Sequence, residues 1–156
     1  ITEEIKALFG KLPMFGMGLG HQLMALSQGA DTYKLSYGHH GGNQPVKIAG
    51  TPRSVIVSQN HGYAVCSKSI KNGEISYSNV NDGTVEGIAY AADKAYSVQF
   101  EPTDEIIAEF FTMLFGSQAN KVGLDREVPK FVKILFFVLA IAFIAGVLYF
   151  CWRLSE

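Results

Sequence analysis

The stretch Gly16-Met17-Gly18-Leu19-Gly20-His21-Gln22 carries the strongest chemical signal in the chain. A short apolar segment, 14–17, leads into glycines 18 and 20 and then into a helical pattern over 21–28 that Gly29 closes. A strand, tight glycine turn and helix of this type lets backbone N–H groups at a helix N-terminus face a ligand. In many hydrolases the same turn presents a nucleophile at a strained elbow. The other groups with chemical potential are His39-His40, the run Gln59-Asn60-His61-Gly62-Tyr63, and Glu101-Pro102-Thr103. No metal is expected at His39-His40, because adjacent residues rarely ligate one ion and no acidic residue is near them in sequence. Cys66 and Cys151 lie far apart without ligand spacing. They argue against a disulfide framework or a zinc site and fit a reducing compartment.

The elements that must position these groups follow from periodicity. Residues 2–9 read as an amphipathic helix with Ile5, Leu8 and Phe9 on one side. Segments rich in β-branched and aromatic residues follow the elbow at 31–37, 46–48, 54–58, 62–66, 74–80, 85–90 and 95–100. Turn signals separate them at Gly41-Gly42-Asn43, Lys71-Asn72-Gly73 and Asn81-Asp82-Gly83. A closing amphipathic helix is predicted over 104–115, with Thr103 as N-cap and Asp104 and Glu105 in its first turn. The pattern is that of an α/β domain.

The chain has 156 residues, 48% of them apolar, with a net charge of −1. The charge leaves no electrostatic case for nucleic-acid binding. Apolar character concentrates in 134–152, a run of 19 residues without a charge. At about 1.5 Å per residue it would span roughly 28 Å, close to a bilayer core. The predicted division is a domain over 1–115, a polar linker over 116–130 and a transmembrane helix over 131–153. Lys121, Arg126, Lys130 and Lys133 precede the run and only Arg153 follows it, which places a head of residues 1–130 in the cytoplasm. The chain opens on Ile1 with a polar helical pattern, so no signal peptide is expected and the sequence reads as a fragment or processed product.

Five motifs in order carry a family resemblance. They are the elbow 15–23, Gly38-His39-His40-Gly41-Gly42-Asn43-Gln44-Pro45-Val46-Lys47, Ser58-Gln59-Asn60-His61-Gly62-Tyr63-Ala64-Val65, Asn81-Asp82-Gly83-Thr84-Val85-Glu86-Gly87, and Tyr96-Ser97-Val98-Gln99-Phe100. Together they resemble the class I glutamine amidotransferases, and most of all the small subunit of carbamoyl-phosphate synthase. The resemblance covers about residues 1–115. It implies a flavodoxin-like class I glutamine amidotransferase fold, here truncated at the N-terminus and followed by the C-terminal transmembrane helix.

By that resemblance, glutamine hydrolysis needs a cysteine thiolate, a histidine that activates it and a glutamate that orients the histidine. Where the family reads Gly-Ile-Cys-Leu-Gly-His-Gln, the thiol position here is Gly18. Where the family reads His-Pro-Glu, this chain has Glu101-Pro102-Thr103, so the base position is Glu101 and the orienting position Thr103. Neither cysteine lies at the site, no covalent intermediate can form on Gly18, and glutaminase activity is not expected. The resemblance also implies glutamine contacts from Leu19, Gln22, Asn60, Gly62 and Tyr63, all retained. An alternative reading keeps Gly20 and Gly62 for backbone geometry and Asn60 for a turn. The expected function is therefore binding or regulation without hydrolysis, with no cofactor, glutamine as ligand, and a carbamoyl-phosphate synthase large subunit as partner. Two alternatives stand beside it: a glutamine-dependent carbamoyl-phosphate synthase subunit, or a membrane-tethered interaction protein.

Overall fold

The computed structural model describes residues 1–115. The predicted linker and membrane span lie outside them, and among the described residues no helix is long and apolar enough to cross a membrane.

Among the described residues, three α-helices and six strands follow the order α1 (Thr2–Leu8), β1 (Met14–Met17), α2 (Leu19–Ser27), β2 (Thr32–Ile48), β3 (Ser54–Val65), β4 (Glu74–Asn79), β5 (Val85–Tyr90), β6 (Ala95–Val98) and α3 (Asp104–Phe115). The sheet order is β1-β6-β5-β3-β2-β4. Only β1 and β6 pair in parallel among the described strands, and the remaining pairs are antiparallel. One parallel pair among antiparallel ones does not make the flavodoxin-like sheet expected from the sequence. From β2 onward the chain turns back on itself through short connections, and short connections suit antiparallel neighbours. Strand β4 pairs with both β2 and β5, so β2, β3, β5 and β4 form a closed ring of pairings.

Alternation along the strands sends side chains to opposite faces and builds two cores. Met14, Ile88 and Ala95 pack with Met24, Ala25, Val65 and Tyr90, together with Ile5 and Phe9 from the α1 end. Their sequence neighbours Phe15, Ala89 and Tyr96 pack on the other face with Val98, Phe100, Ile106 and Phe110 of α3. Helices therefore cover both faces of the sheet, as the α/β reading requires. Leu8, predicted to share the buried side of α1, is 42% exposed.

Two stretches differ from the sequence expectation. The Gly41-Gly42-Asn43 signal does not break the chain. Strand β2 runs through it for 17 residues, with register shifts between Lys34 and His39 and between Gly41 and Gln44. Gly38 makes the first bulge possible. Its φ is +72°, and a Cβ there would lie 2.6 Å from the His61 carbonyl oxygen. Likewise Gln59-Asn60-His61 is not a loop but the middle of β3, whose 12 residues bury Val57, Gln59 and His61 on one face. Asn60 accordingly pairs with His40 across the strands, and the turn reading for it is wrong. The start of α3 is as predicted, with the Thr103 carbonyl accepting the N–H groups of Ile106 and Ile107, both at 3.1 Å.

Candidate active-site cleft

The elbow is built as its glycines suggest. Strand β1 ends at Met17, and Gly18 turns the chain with φ +57° and ψ −115° into α2. The Gly18 N–H continues the parallel ladder by donating to the Val98 carbonyl at 2.9 Å. A Cβ on Gly18 would meet nothing within 4 Å, so the apex faces open space. That space is a cleft of about 430 Å³ lined by Met17, Gly18, Ser58, Asn60, Gln99 and Glu101, with Gln59 and Phe100 completing it.

The structure brings the nucleophile position Gly18, the base position Glu101 and the binding candidate Asn60 to this one cleft. Glu101 is fixed through its backbone, whose N–H donates to the Ser58 carbonyl at 3.0 Å. Thr103 is exposed at the head of α3 and is not among the lining residues. Leu19 follows the apex and is 69% exposed. Gln22 has a binding task within the protein. Its Nε2 donates to the Tyr63 carbonyl at 3.0 Å and to Gln99 Oε1 at 2.8 Å, tying α2 to the ends of β3 and β6. Truncating Gln22 to alanine is expected to cost about 1–2 kcal/mol, read as a lower denaturation midpoint at unchanged m-value. Asn60 Oδ1 accepts from His40 Nδ1 at 2.7 Å. Gly20 and Gly62 have no positive φ, and a Cβ added to either would meet nothing within 4 Å, so backbone geometry does not explain them.

Below the elbow, His21 is fully buried and its Nδ1 lies 2.9 Å from Ser97 Oγ, which itself donates to the Ile88 carbonyl at 3.4 Å. His21 is thus held to Ser97 by one buried hydrogen bond. Burial, with His61 nearby, pushes its pKa down to about 3, and the ring is neutral at physiological pH.

Sequence reading missed the cluster behind the cleft floor. His39 and His61 are register partners on β2 and β3, and their rings meet edge to face at 4.9 Å. The fold supplies the acidic partners that sequence proximity lacks. His39 Nε2 lies 2.9 Å from Asp82 Oδ2, and its Nδ1 lies 3.1 Å from Glu86 Oε1. Thr84 Oγ1 lies 2.8 Å from Asp82 Oδ1 and 3.0 Å from Glu86 Oε1, yet it has one proton to donate. Glu86 is fully buried, and burial raises its pKa to about 7 against the pull of Thr84 and His39. Asp82 is pushed up by burial, but hydrogen bonds from Thr84 and His39 outweigh that and leave its pKa lowered. The available signal was the inward alternation of Val57, Gln59 and His61, which shows only when 54–65 is read as one strand.

Comparison with known proteins places this geometry. The family model "Glutamine amidotransferase class-I" matches residues 2–107. The carbamoyl phosphate synthase small chain of Clostridium acetobutylicum is 50% identical over 120 residues, covering 76% of this chain and 34% of the relative. That of Bacillus anthracis is 44% identical over 122 residues, covering 72% and 33%. The chain therefore spans about a third of the length of the curated relatives it matches. Among solved structures, a glutamine amidotransferase from Thermotoga maritima superposes with a TM-score of 0.56 at 20% identity, over 80% of this chain and 56% of the other.

Proposed function

The chain belongs to the class I glutamine amidotransferase family, and from that premise we propose that its cleft binds glutamine without hydrolysing it. The observation that carries this reading is the elbow apex. Gly18 holds the strained turn and opens on the cleft, but offers no atom that can attack an amide. Glu101 lines the same cleft and could only activate water. Such a route lacks the covalent intermediate that divides amide hydrolysis into two easier steps. Asn60 and the Gln22–Tyr63 link remain in place around the apex. The role is a binding or regulatory one, and a carbamoyl-phosphate synthase large subunit is the partner suggested by the kinship with small chains.

A thermal melt of the full chain with millimolar glutamine tests the binding. A ligand that binds only the folded state raises the melting temperature, by about 2.7 kcal/mol of added stability at a hundredfold excess over Kd. An upward shift with glutamine and none with glycine is expected, and equal melts would sink the reading. A second proposal rests on the uncharged run 134–152, which is long enough to tether the domain to a membrane. Sedimentation with membranes after carbonate extraction is its expected outcome, and full recovery in the supernatant would contradict it.

A further inference from the structure

We propose that His39, His61 and Glu86 form a binding site for one divalent transition-metal ion of the zinc class, clamping β2, β3 and β5 together behind the cleft. One ligand atom from each of these residues falls within a sphere where all are within 4.8 Å of one another. The three residues come from three strands that neighbour one another in the sheet, so the backbone ladder sets their spacing.

The outer hydrogen bonds decide which ring atoms face inward. His39 Nε2 is held by the Asp82 carboxylate at 2.9 Å, and His61 Nδ1 by the Tyr63 carbonyl at 2.9 Å. A histidine that donates its far N–H to a carboxylate or carbonyl presents its other nitrogen as a lone pair, the usual setting of a metal-ligating imidazole. The inward atoms are then His39 Nδ1, 3.1 Å from Glu86 Oε1, and His61 Nε2, 3.8 Å from Glu86 Oε2. Glu86 Oε2 is buried and has no hydrogen-bond partner. Gln59 Oε1 lies 3.0 Å from the same His61 nitrogen and brings a fourth residue to the site. Two imidazole nitrogens and a buried carboxylate oxygen therefore converge on one point, the arrangement a cation would fill. Two imidazoles and a carboxylate suit zinc, whereas calcium and magnesium favour oxygen ligands alone. With the three side chains buried, the site is closed and suits a structural ion. Because Gln59 also lines the cleft, the ion would brace the segment Asn60-His61-Gly62-Tyr63 from behind.

The test is titration of the chelator-stripped full chain with zinc, using a competing indicator, and with cobalt(II) as a spectroscopic probe. One ion per chain is expected, with cobalt bands of low-coordinate geometry and a melting temperature that rises with zinc. Glu86→Gln should weaken binding at least about 100-fold, and Asp82→Asn about 10–100-fold through loss of the orienting carboxylate. His40→Asn, on the neighbouring exposed histidine, should leave binding unchanged. Asp82 has a side chain 43% exposed, so its variant reads the site even if Glu86→Gln fails to fold. Absence of stoichiometric uptake, unchanged affinity in Asp82→Asn, or a near-ultraviolet sulfur-to-cobalt band placing the ion on a cysteine would each overturn the proposal.

Discussion

Replacing Gly18 with alanine is expected to destabilise the domain by about 1–2 kcal/mol, even though the new methyl group would touch nothing. The cost lies in the backbone. Gly18 has φ +57° and ψ −115°, a region that L side chains enter only with strain. Its N–H bond to Val98 and the start of α2 hold it there. Gly20→Ala is the internal control. Gly20 lies in α2 with open space around a Cβ, and alanine there is expected to be neutral or stabilising by up to about 1 kcal/mol. Denaturant melts of the two variants measure the difference directly. If both changed stability alike, the strained-elbow account would be wrong. The same reasoning predicts that Gly18→Cys places a thiol in the cleft yet yields no glutaminase, because the position that should activate it is Glu101.

The second large effect is on acid stability, where two buried groups pull in opposite directions. His21 has a folded pKa lowered from 6.5 to about 3. The unfolded chain therefore binds the proton first, and the stability His21 contributes above pH 6.5 is lost as pH falls toward 3. Glu86 has a folded pKa raised from 4.5 to about 7. Its contribution is fully present below pH 4.5 and is lost as pH rises through 7. Between these limits the two slopes offset each other. In the chelator-stripped chain Glu86→Gln removes one of them, and the variant is expected to lose on the order of 3 kcal/mol more than the wild type on acidification from neutral to about pH 4.5. Adding His21→Gln should remove that excess loss. Stability measured against pH for the three proteins checks this, and parallel curves would contradict the assigned burial effects.

The sequence made the elbow legible because local chemistry determines it. An apolar strand, glycines at 18 and 20 and a helical pattern suffice, and the observed α2 begins two residues before the predicted helix, at Leu19. Strands β5 and β6 and helix α3 were readable for the same reason. What stayed hidden depends on register. Glycines 41 and 42 look like a turn until the bulges in β2 are set by its pairing with β3. The His39–Glu86 contact joins residues 47 positions apart, and nothing local to either residue announces it. Gln22 stands out as a site residue by resemblance, but its bonds to Tyr63 and Gln99 follow only from where α2 docks.

The central claim is binding without hydrolysis. The most direct measurement is nuclear magnetic resonance of glutamine labelled with ¹⁵N at its side-chain amide, mixed with the full chain. Saturation transfer from protein to glutamine, with the amide signal undiminished and no labelled ammonium formed, is the predicted result. Ammonium release above the spontaneous rate, abolished by Glu101→Gln, or a complete lack of transfer, would contradict it.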